Sequence, residues 1–288
     1  MYLTDHPGWQ AAPDRDGYYR AVTTRTIVSR DIDPGTGLPV HTLGETAAVM
    51  MLWDEGGSHW LNSEGGHSCL SNLVRPANGP QELIEPLAAI TDVAHLEIPD
   101  LWEAVAGALV RHERSDTHAR RTWQALCHAH GDPVTSDGLT AWRFPRPDQI
   151  LTLPDDAFTT AGAHAARAGL RAAAQACADH TGDVAAHENW ETLWDFGLLD
   201  ALKRVPHVRP WAAAVAVAEF TGDYSHYPLD EPTRHTIAQL VPGQDWPEDP
   251  EDFRRAWNLL TDGDQRLWNR WICAWRLTHT PIAHQVNA

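Results

Sequence analysis

The chain has 288 residues, of which 43% are hydrophobic, and a formal net charge of −17. This length suits one large domain or two small ones, and the apolar content is enough to bury a sizeable core. No apolar run is long enough for a transmembrane helix, so the protein is not expected to associate with membranes. A strongly acidic chain can bind nucleic acid well only if its basic residues are concentrated on one face.

The cysteines are far apart in the sequence and include no CxxC pair; they are Cys69, Cys127, Cys177 and Cys273. This spacing argues against a zinc site and against an iron–sulfur cluster. The N-terminus lacks the basic and apolar regions of a signal peptide. We therefore expect a protein of the reducing cytoplasm that needs no metal ion or other cofactor.

Residues 1–97 carry patterns typical of β structure. Segment 18–29 is dense in β-branched and aromatic residues, and a second apolar run follows at 46–53. Between these two segments, the sequence Asp-Pro-Gly-Thr-Gly at 33–37 is typical of a turn. The pattern predicts strands and hairpins in a β-rich N-terminal region.

From about residue 98 the pattern becomes helical. Segment 99–112 begins with a Pro–Asp pair, and its apolar residues follow helical spacing. A polar linker is predicted at 131–138, where Pro and Gly occur. The same criteria predict further helices at 116–130, 144–154, 157–180, 188–204 and 211–220, after Asp230, and at 265–278.

Four stretches of this helical part resemble, in the same order, the 3-methyladenine DNA glycosylase II type of helix-hairpin-helix DNA glycosylase. They are the helix pair at 100–131, the Phe-Pro-x-Pro connector at 144–158, the Gly-x-x-x-x-Arg-Ala helix at 162–176, and segment 202–237. The last stretch is the most specific. Its Pro-x-Val-x-Pro-Trp hairpin core ends at Trp211, and Asp230 follows 19 residues later within Tyr-Pro-Leu-Asp.

This resemblance implies an α+β fold, in which a mainly α-helical helix-hairpin-helix core at 98–288 follows a small antiparallel β-rich domain at 1–97. It also implies hydrolysis of the N-glycosidic bond of alkylated or damaged purines during base excision repair. Asp230 is then the catalytic candidate, because a carboxylate stabilises the oxocarbenium-like charge on the sugar and orients water. Considered alone, Asp230 would be interpreted as an ordinary helix N-cap.

Three positions of the hairpin are informative, and two of them depart from the family pattern. Bifunctional relatives carry a lysine that forms a Schiff base where this chain has Trp211, so no lyase activity is expected. The two hairpin glycines of the family are replaced by His207 and Arg209. These replacements either impair phosphate and cation binding, or contact phosphate through their side chains, or only reshape the turn.

Further residues are predicted to contact DNA. Lys203 and Arg204 precede the hairpin and, with Arg209, are expected to lie beside phosphate groups. Either His112 or Arg114 fills the gap that a flipped base leaves in the helical stack, or the chain does not flip bases from ordinary duplex DNA. The alternative is that both are solvated residues at a helix end.

Tryptophan is abundant, and several tryptophans are candidates for a base pocket. Alkylated purines are cationic, so aromatic side chains can bind them by stacking and cation–π attraction. The candidates are Trp211, Trp268, Trp271 and Trp275, of which the last three share one helical face. The alternative is that these side chains pack in the core.

The preferred interpretation is a monomeric, monofunctional DNA glycosylase whose partner is damaged, duplex DNA. One alternative is an N-glycosidase that acts on a specialised modified base or nucleoside rather than on ordinary duplex DNA. The acidic charge and the missing hairpin glycines favour that alternative. Another alternative is a non-catalytic DNA-binding module, since a fold does not fix a function.

Overall fold

The structure is a computed structural model. It describes residues 2–3, 6–11, 18–32, 39–52, 58–61, 70–72, 79–87, 94–96, 98, 100–112, 115–136, 139–181 and 196–279.

The described residues before position 98 form mainly strands. In chain order they are β1 (Tyr2–Leu3), β2 (Gln10–Ala11), β3 (Tyr18–Ile32), β4 (Pro39–Leu52), β5 (Ser58–Leu61), β6 (Leu70–Asn72), helix α1 (Gln81–Leu87) and β7 (Ala94–Leu96). One antiparallel sheet has the order β2-β3-β4-β5, and a second sheet has the order β1-β7-β6. Within the second sheet, β1 is parallel to β7. Helix α1 was not predicted.

The long β3–β4 pair confirms the strands expected at 18–29 and 46–53. The two strands are antiparallel and in register from Tyr18 opposite Leu52 to Ile32 opposite Pro39, with one bulge near Ser29. The turn predicted at 33–37 falls between them, outside the described residues.

From residue 100 onward the described chain is mainly helical, which confirms the α+β class. The elements are α2 (Leu101–Arg111), α3 (Asp116–His130), β8 (Pro133–Ser136), β9 (Leu139–Trp142), α4 (Pro147–Thr152), α5 (Asp155–Thr160), α6 (Arg167–Thr181), α7 (Phe196–Arg204), α8 (Pro210–Thr221), α9 (Glu231–Leu240), α10 (Pro250–Leu260) and α11 (Gln265–His279). Within the described ranges, no helix has the length and apolarity needed to cross a membrane.

Two predictions in this part were wrong, and helix α10 was missed. The supposed polar linker at 131–138 contains β8, which pairs antiparallel with β9. Its inner face packs through Val134 and Ala141 against Ala21 of β3, so the hairpin joins the β-rich region. The supposed single helix at 157–180 is broken between α5 and α6, where Gly162 adopts a φ of 75°. The domain boundary at 97/98 stays a prediction.

The described helices pack around two large hydrophobic clusters. The first core is built mainly from α2, α3 and α4–α8, and α8 is buried along its length from Ala212 to Glu219. The second core is built from α1 and α9–α11, with Trp257, Trp268 and Trp271 at its centre. The loop from α8 to α9 therefore passes from one core to the other.

Helix α2 forms two buried ion pairs that connect it to other elements. Glu103, near its start, pairs with Arg20 of β3, and both side chains are at most 4% exposed. Arg111, at its end, pairs with Glu219 of α8, and these side chains are at most 7% exposed. The first pair attaches α2 to the β-rich region, and the second attaches it to α8.

His6 packs against the first of these ion pairs and gives the fold a dependence on pH. Its Nδ1 atom accepts a hydrogen bond from the Gly8 amide at 3.1 Å and lies 3.0 Å from Arg20 Nη1. Burial, and next the charge of Arg20, lower the pKa of His6 well below its usual value. The imidazole is therefore neutral in the folded protein over the neutral range.

We expect the stability contributed by neutral His6 to be lost as the pH falls. Below about pH 6.5 the unfolded chain takes up a proton at this position and the folded chain does not, which costs up to about 1.4 kcal/mol per pH unit. Urea midpoints of wild type and His6→Gln at pH 7.5 and 5.5 measure this effect. The wild type should lose more stability between the two pH values, and equal losses would contradict the prediction.

Candidate active site

Asp230 caps the N-terminus of α9 and is held there by its own helix. Its Oδ1 atom accepts hydrogen bonds from the Thr233 amide at 3.0 Å and from Thr233 Oγ1 at 2.7 Å. Aspartate is a favoured N-cap because its carboxylate satisfies an amide of the first turn that has no partner within the helix. The same bonds fix the orientation of the carboxylate.

The second oxygen of Asp230 is bound from α8. Trp211 Nε1 donates a hydrogen bond to Asp230 Oδ2 at 3.1 Å. The Trp211 ring also meets the His112 ring edge-on, with centroids 5.5 Å apart. The structure therefore brings together three residues that the sequence singled out separately.

Thr233 is in turn held by the last described helix. Arg276 Nη1 of α11 donates a hydrogen bond to Thr233 Oγ1 at 3.2 Å, and Thr233 is 1% exposed. A connected set of hydrogen bonds thus runs from Arg276 through Thr233 to Asp230. Thr233 on Oδ1 and Trp211 on Oδ2 together restrain the rotamer of Asp230. Such a set of bonds preorganises the carboxylate.

A cavity of about 660 Å³ lies in the cleft between the two cores, and Asp230 is not among the described residues that line it. Trp211, which binds Asp230, and Leu229, which precedes it, both line the cavity. Helices α10 and α11 contribute polar side chains to its lining, and α7 contributes Lys203. The remaining lining residues are Leu199, Pro210, Ala214, Ser225, His226, Tyr227, Pro228, Arg254, Asn258, Gln265 and Asn269.

Solved structures with a similar fold include the 3-methyladenine DNA glycosylase from Archaeoglobus fulgidus. It is 14% identical to this chain, with a TM-score of 0.59, and the match covers 97% of this chain and 93% of that one. An 8-oxoguanine glycosylase/lyase from Clostridium acetobutylicum, in complex with double-stranded DNA, is 16% identical with a TM-score of 0.55, over 69% of this chain and 67% of that one. The chain has the helix-hairpin-helix DNA glycosylase fold.

A third structure with this fold is MBOgg1 in complex with a low-affinity DNA ligand. It is 16% identical with a TM-score of 0.51, and the match covers 63% of this chain and 61% of that one, so this chain spans less than two thirds of MBOgg1. No family model and no curated protein matches the chain. At these identities the likeness establishes the glycosylase fold.

The hairpin of this glycosylase fold lies between α7 and α8, as expected. His207 has a φ of 63°, the left-handed conformation that the family's glycine adopts freely. Histidine is one of the residues that tolerate this conformation more often than most. Arg209 has a φ of −74° and needs no glycine-like backbone. The turn at His207 therefore has a backbone conformation that suits glycine, and it carries an imidazole.

The residues predicted to contact DNA form an exposed basic segment around this hairpin. Lys203, Arg204, His207 and Arg209 are all exposed, and no acidic residue occurs from 203 to 209. His112 lies at the end of α2 against Trp211. Arg114 lies outside the described residues.

The tryptophans predicted for the base pocket are separated by the structure. Trp211 lines the cleft cavity. Trp268 and Trp271 are each 2% exposed and lie in the second core, where Trp275 packs against them partly exposed. None of these three lines the cleft cavity, so their role as pocket residues stays a prediction.

Several residues of the site were missed in the sequence. Thr233 could have been identified from its position three residues after Asp230, where an N-cap side chain binds. Arg276, Arg254 and Asn258 had no such signal, because only the packing of α10 and α11 brings them to the cleft.

Proposed function

We propose that the chain is a monofunctional DNA glycosylase that hydrolyses the N-glycosidic bond of alkylated or damaged purines. The observation that carries this proposal is the Asp230 carboxylate, which Trp211 and Thr233 hold, while Trp211 and the preceding Leu229 line the cleft cavity. The similar structures support it, since they are a 3-methyladenine DNA glycosylase and an 8-oxoguanine glycosylase/lyase bound to DNA.

In the proposed mechanism the flipped nucleotide enters the cleft and the carboxylate stabilises the positive charge that develops on the sugar. Water attacks the sugar carbon as the bond to the base breaks, and Asp230 orients this water. The bonds from Trp211 and Thr233 hold the carboxylate in place before the substrate binds. A cationic alkylated purine is already a good leaving group, and the rings of Trp211 and Tyr227 offer it cation–π contacts.

The experiment that tests this function is release of free bases from methylated duplex DNA, detected chromatographically. We expect wild type to release 3-methyladenine or 7-methylguanine. Release of only a methylated pyrimidine would contradict the proposed substrate class. If the protein neither releases bases nor binds DNA, the proposed function itself is contradicted.

The absence of lyase activity can be tested cleanly, because Lys203 is the only lysine in the sequence. A lyase forms a Schiff base through an amine, and borohydride traps that intermediate covalently on DNA. We expect no trapped complex with wild type, since Trp211 occupies the position of the family's lysine. A complex that forms with wild type and is lost in Lys203→Arg would overturn this part of the proposal.

We expect Thr233→Val to lower kcat for base release by about tenfold. Valine has nearly the shape of threonine but cannot donate to Asp230 or accept from Arg276, while KM should change little because Thr233 does not line the cavity. Steady-state kinetics separate the two constants. Thr233→Ser keeps the hydroxyl and should restore kcat, and a failure of serine to do so would contradict the positioning role.

A further inference from the structure

Two polar side chains in the wall of the cleft cavity, Ser225 and Asn269, have their hydrogen-bonding direction fixed by neighbouring residues. Asn269 lies on α11 and is 2% exposed. Its Oδ1 atom accepts a hydrogen bond from Trp257 Nε1 at 2.9 Å, and its Nδ2 atom donates one to the Tyr224 carbonyl at 2.9 Å. An indole N–H can only donate and a carbonyl can only accept, so the amide has one orientation.

The Asn269 amide therefore presents a donor to a ligand. Its Nδ2 group carries two hydrogens, of which the Tyr224 carbonyl takes one. The second is left to donate to a ligand in the cavity that the side chain lines. A buried amide is stable only when it is hydrogen-bonded, and Trp257 and Tyr224 meet that requirement before a ligand arrives.

Ser225 presents an acceptor to the same cavity. Its Oγ atom donates its single hydrogen to Asp223 Oδ1 at 2.6 Å, and a carboxylate has no hydrogen to return. The Ser225 amide donates to the same oxygen at 2.9 Å, so the side chain is held close to its own loop. Because Asn269 binds the carbonyl of Tyr224, the residue before Ser225, the donor and the acceptor lie at the same end of the cavity.

The two cationic side chains of the lining are less restrained. Lys203 and Arg254 are 42% and 51% exposed, and each pairs with an acidic residue of its own helix. Polar groups that are oriented in advance give the most selectivity, because binding does not have to restrict their motion. Ser225 and Asn269 are therefore better placed than Lys203 and Arg254 to select among ligands.

We propose that Asn269 and Ser225 read the base-pairing edge of the base that enters the cleft. The proposal rests on the proposed function, which places a flipped base in this cavity of about 660 Å³. On its base-pairing edge a purine has an acceptor beside a donor, which are O6 and N1–H in guanine and N1 and the 6-amino group in adenine. An adjacent donor and acceptor on the protein match either pattern.

This reading defines which damaged purines the cleft admits. Damage at N3, N7 or C8 leaves the base-pairing edge unchanged, so both bonds can form. Damage at N1 or at the exocyclic group removes a hydrogen or adds bulk where Ser225 and Asn269 bind. Such a base leaves a buried polar group of the protein without its partner, which is unfavourable. We therefore expect the second class to be excluded.

The test compares two free bases as inhibitors of base release from duplex DNA that carries radiolabelled methyl groups. 7-Methylguanine has an intact base-pairing edge, and 1,7-dimethylguanine differs from it only by a methyl group in place of the hydrogen on N1. We expect the inhibition constant of 1,7-dimethylguanine for wild type to be about tenfold higher. The label distinguishes the released bases from the added ones.

Ser225→Ala should lower this ratio to about one, because 7-methylguanine loses a bond that 1,7-dimethylguanine never forms. The loop can keep its conformation, since the amide of residue 225 still donates to Asp223. Asn269→Asp keeps an acceptor for Trp257 but loses the donor, and it should lower the ratio as well. Asn258→Asp is the matched control, because it places the same charge in the same cavity wall and should keep the wild-type ratio.

A structural defect and a loss of base reading give different results. A variant with a distorted cleft binds both free bases more weakly and keeps the ratio. If wild type releases bases but is inhibited equally by the two free bases, or by neither, the reading is overturned and the proposed function stands. The same holds if Ser225→Ala and Asn269→Asp both keep the wild-type ratio. If wild type releases no damaged purine from DNA, the proposed function is overturned and the reading with it.

Discussion

Asp230→Asn is expected to reduce base release from methylated duplex DNA by at least about 100-fold. Asparagine keeps the size of the side chain and is as good an N-cap as aspartate, so the bond from the Thr233 amide can persist. What is lost is the negative charge that stabilises the cationic sugar in the transition state. The bond from Trp211 is lost as well, because the amide nitrogen that replaces Oδ2 cannot accept a hydrogen bond. The loss should therefore appear in kcat, with Tm within a few degrees of wild type.

Asp223→Asn provides the matched control for this experiment. Asp223 belongs to the same loop, where its Oδ1 atom accepts hydrogen bonds from the amide and the hydroxyl of Ser225. The substitution removes the same charge close to the cleft but leaves the candidate catalytic carboxylate intact. We expect it to retain most of the activity. Full activity in Asp230→Asn would show that the assignment of Asp230 is wrong.

Glu219→Gln is expected to destabilise the protein by about 3 kcal/mol or more, because it removes the counter-charge that Glu219 supplies to the buried Arg111 guanidinium. A loss of this size should lower Tm by roughly 10 °C. Removing both charges with Arg111→Met and Glu219→Leu should recover most of the stability, since a well-packed apolar pair avoids the cost of desolvation. Urea denaturation of Arg111→Met, Glu219→Leu and the variant with both substitutions forms a double-mutant cycle.

The exposed residue Arg255 serves as the control. Its ion pair with Asp252 is on the surface of α10, so Arg255→Gln should change stability by less than about 1 kcal/mol. A Glu219→Gln variant as stable as wild type would contradict the prediction. The buried pair matters for the site as well, because it fixes α2, which ends at His112, against α8, which carries Trp211.

The sequence was informative where a pattern is local. Alternation and β-branching at 18–29 and 46–53 predicted β3 and β4, and apolar spacing predicted α2, α3 and α8. The helix start after Asp230 was also visible, because aspartate followed by Glu-Pro is a local capping signal. Helix α10 carried an equally local signal, the N-cap Asp249 followed by Pro250, and was missed nonetheless.

What depends on tertiary packing could not be predicted. The polar composition of 131–138 indicated a linker, but Thr135 and Thr140 bond to each other on the exposed face of a hairpin whose other face is apolar. The tryptophan stripe of α11 is compatible with a pocket or a core, and only the packing of α1 places Trp268 against Gly79. The spacing of 19 residues between Trp211 and Asp230 could be read from the sequence, but the hydrogen bond between them required coordinates.

The two hydrogen-bonding sides of Asp230 belong to different parts of the molecule. Oδ2 is bound by Trp211, which packs on the first core, and Oδ1 is bound by Thr233, whose helix packs in the second core. The carboxylate therefore bridges two bodies with separate hydrophobic interiors. Any shift of one core relative to the other changes the distance between the two donors, Trp211 and Thr233. The orientation of the Asp230 carboxylate therefore depends on the relative position of the two cores. Substitutions deep in either core, far from DNA, can thus alter the chemistry at the sugar without touching a residue of the cleft.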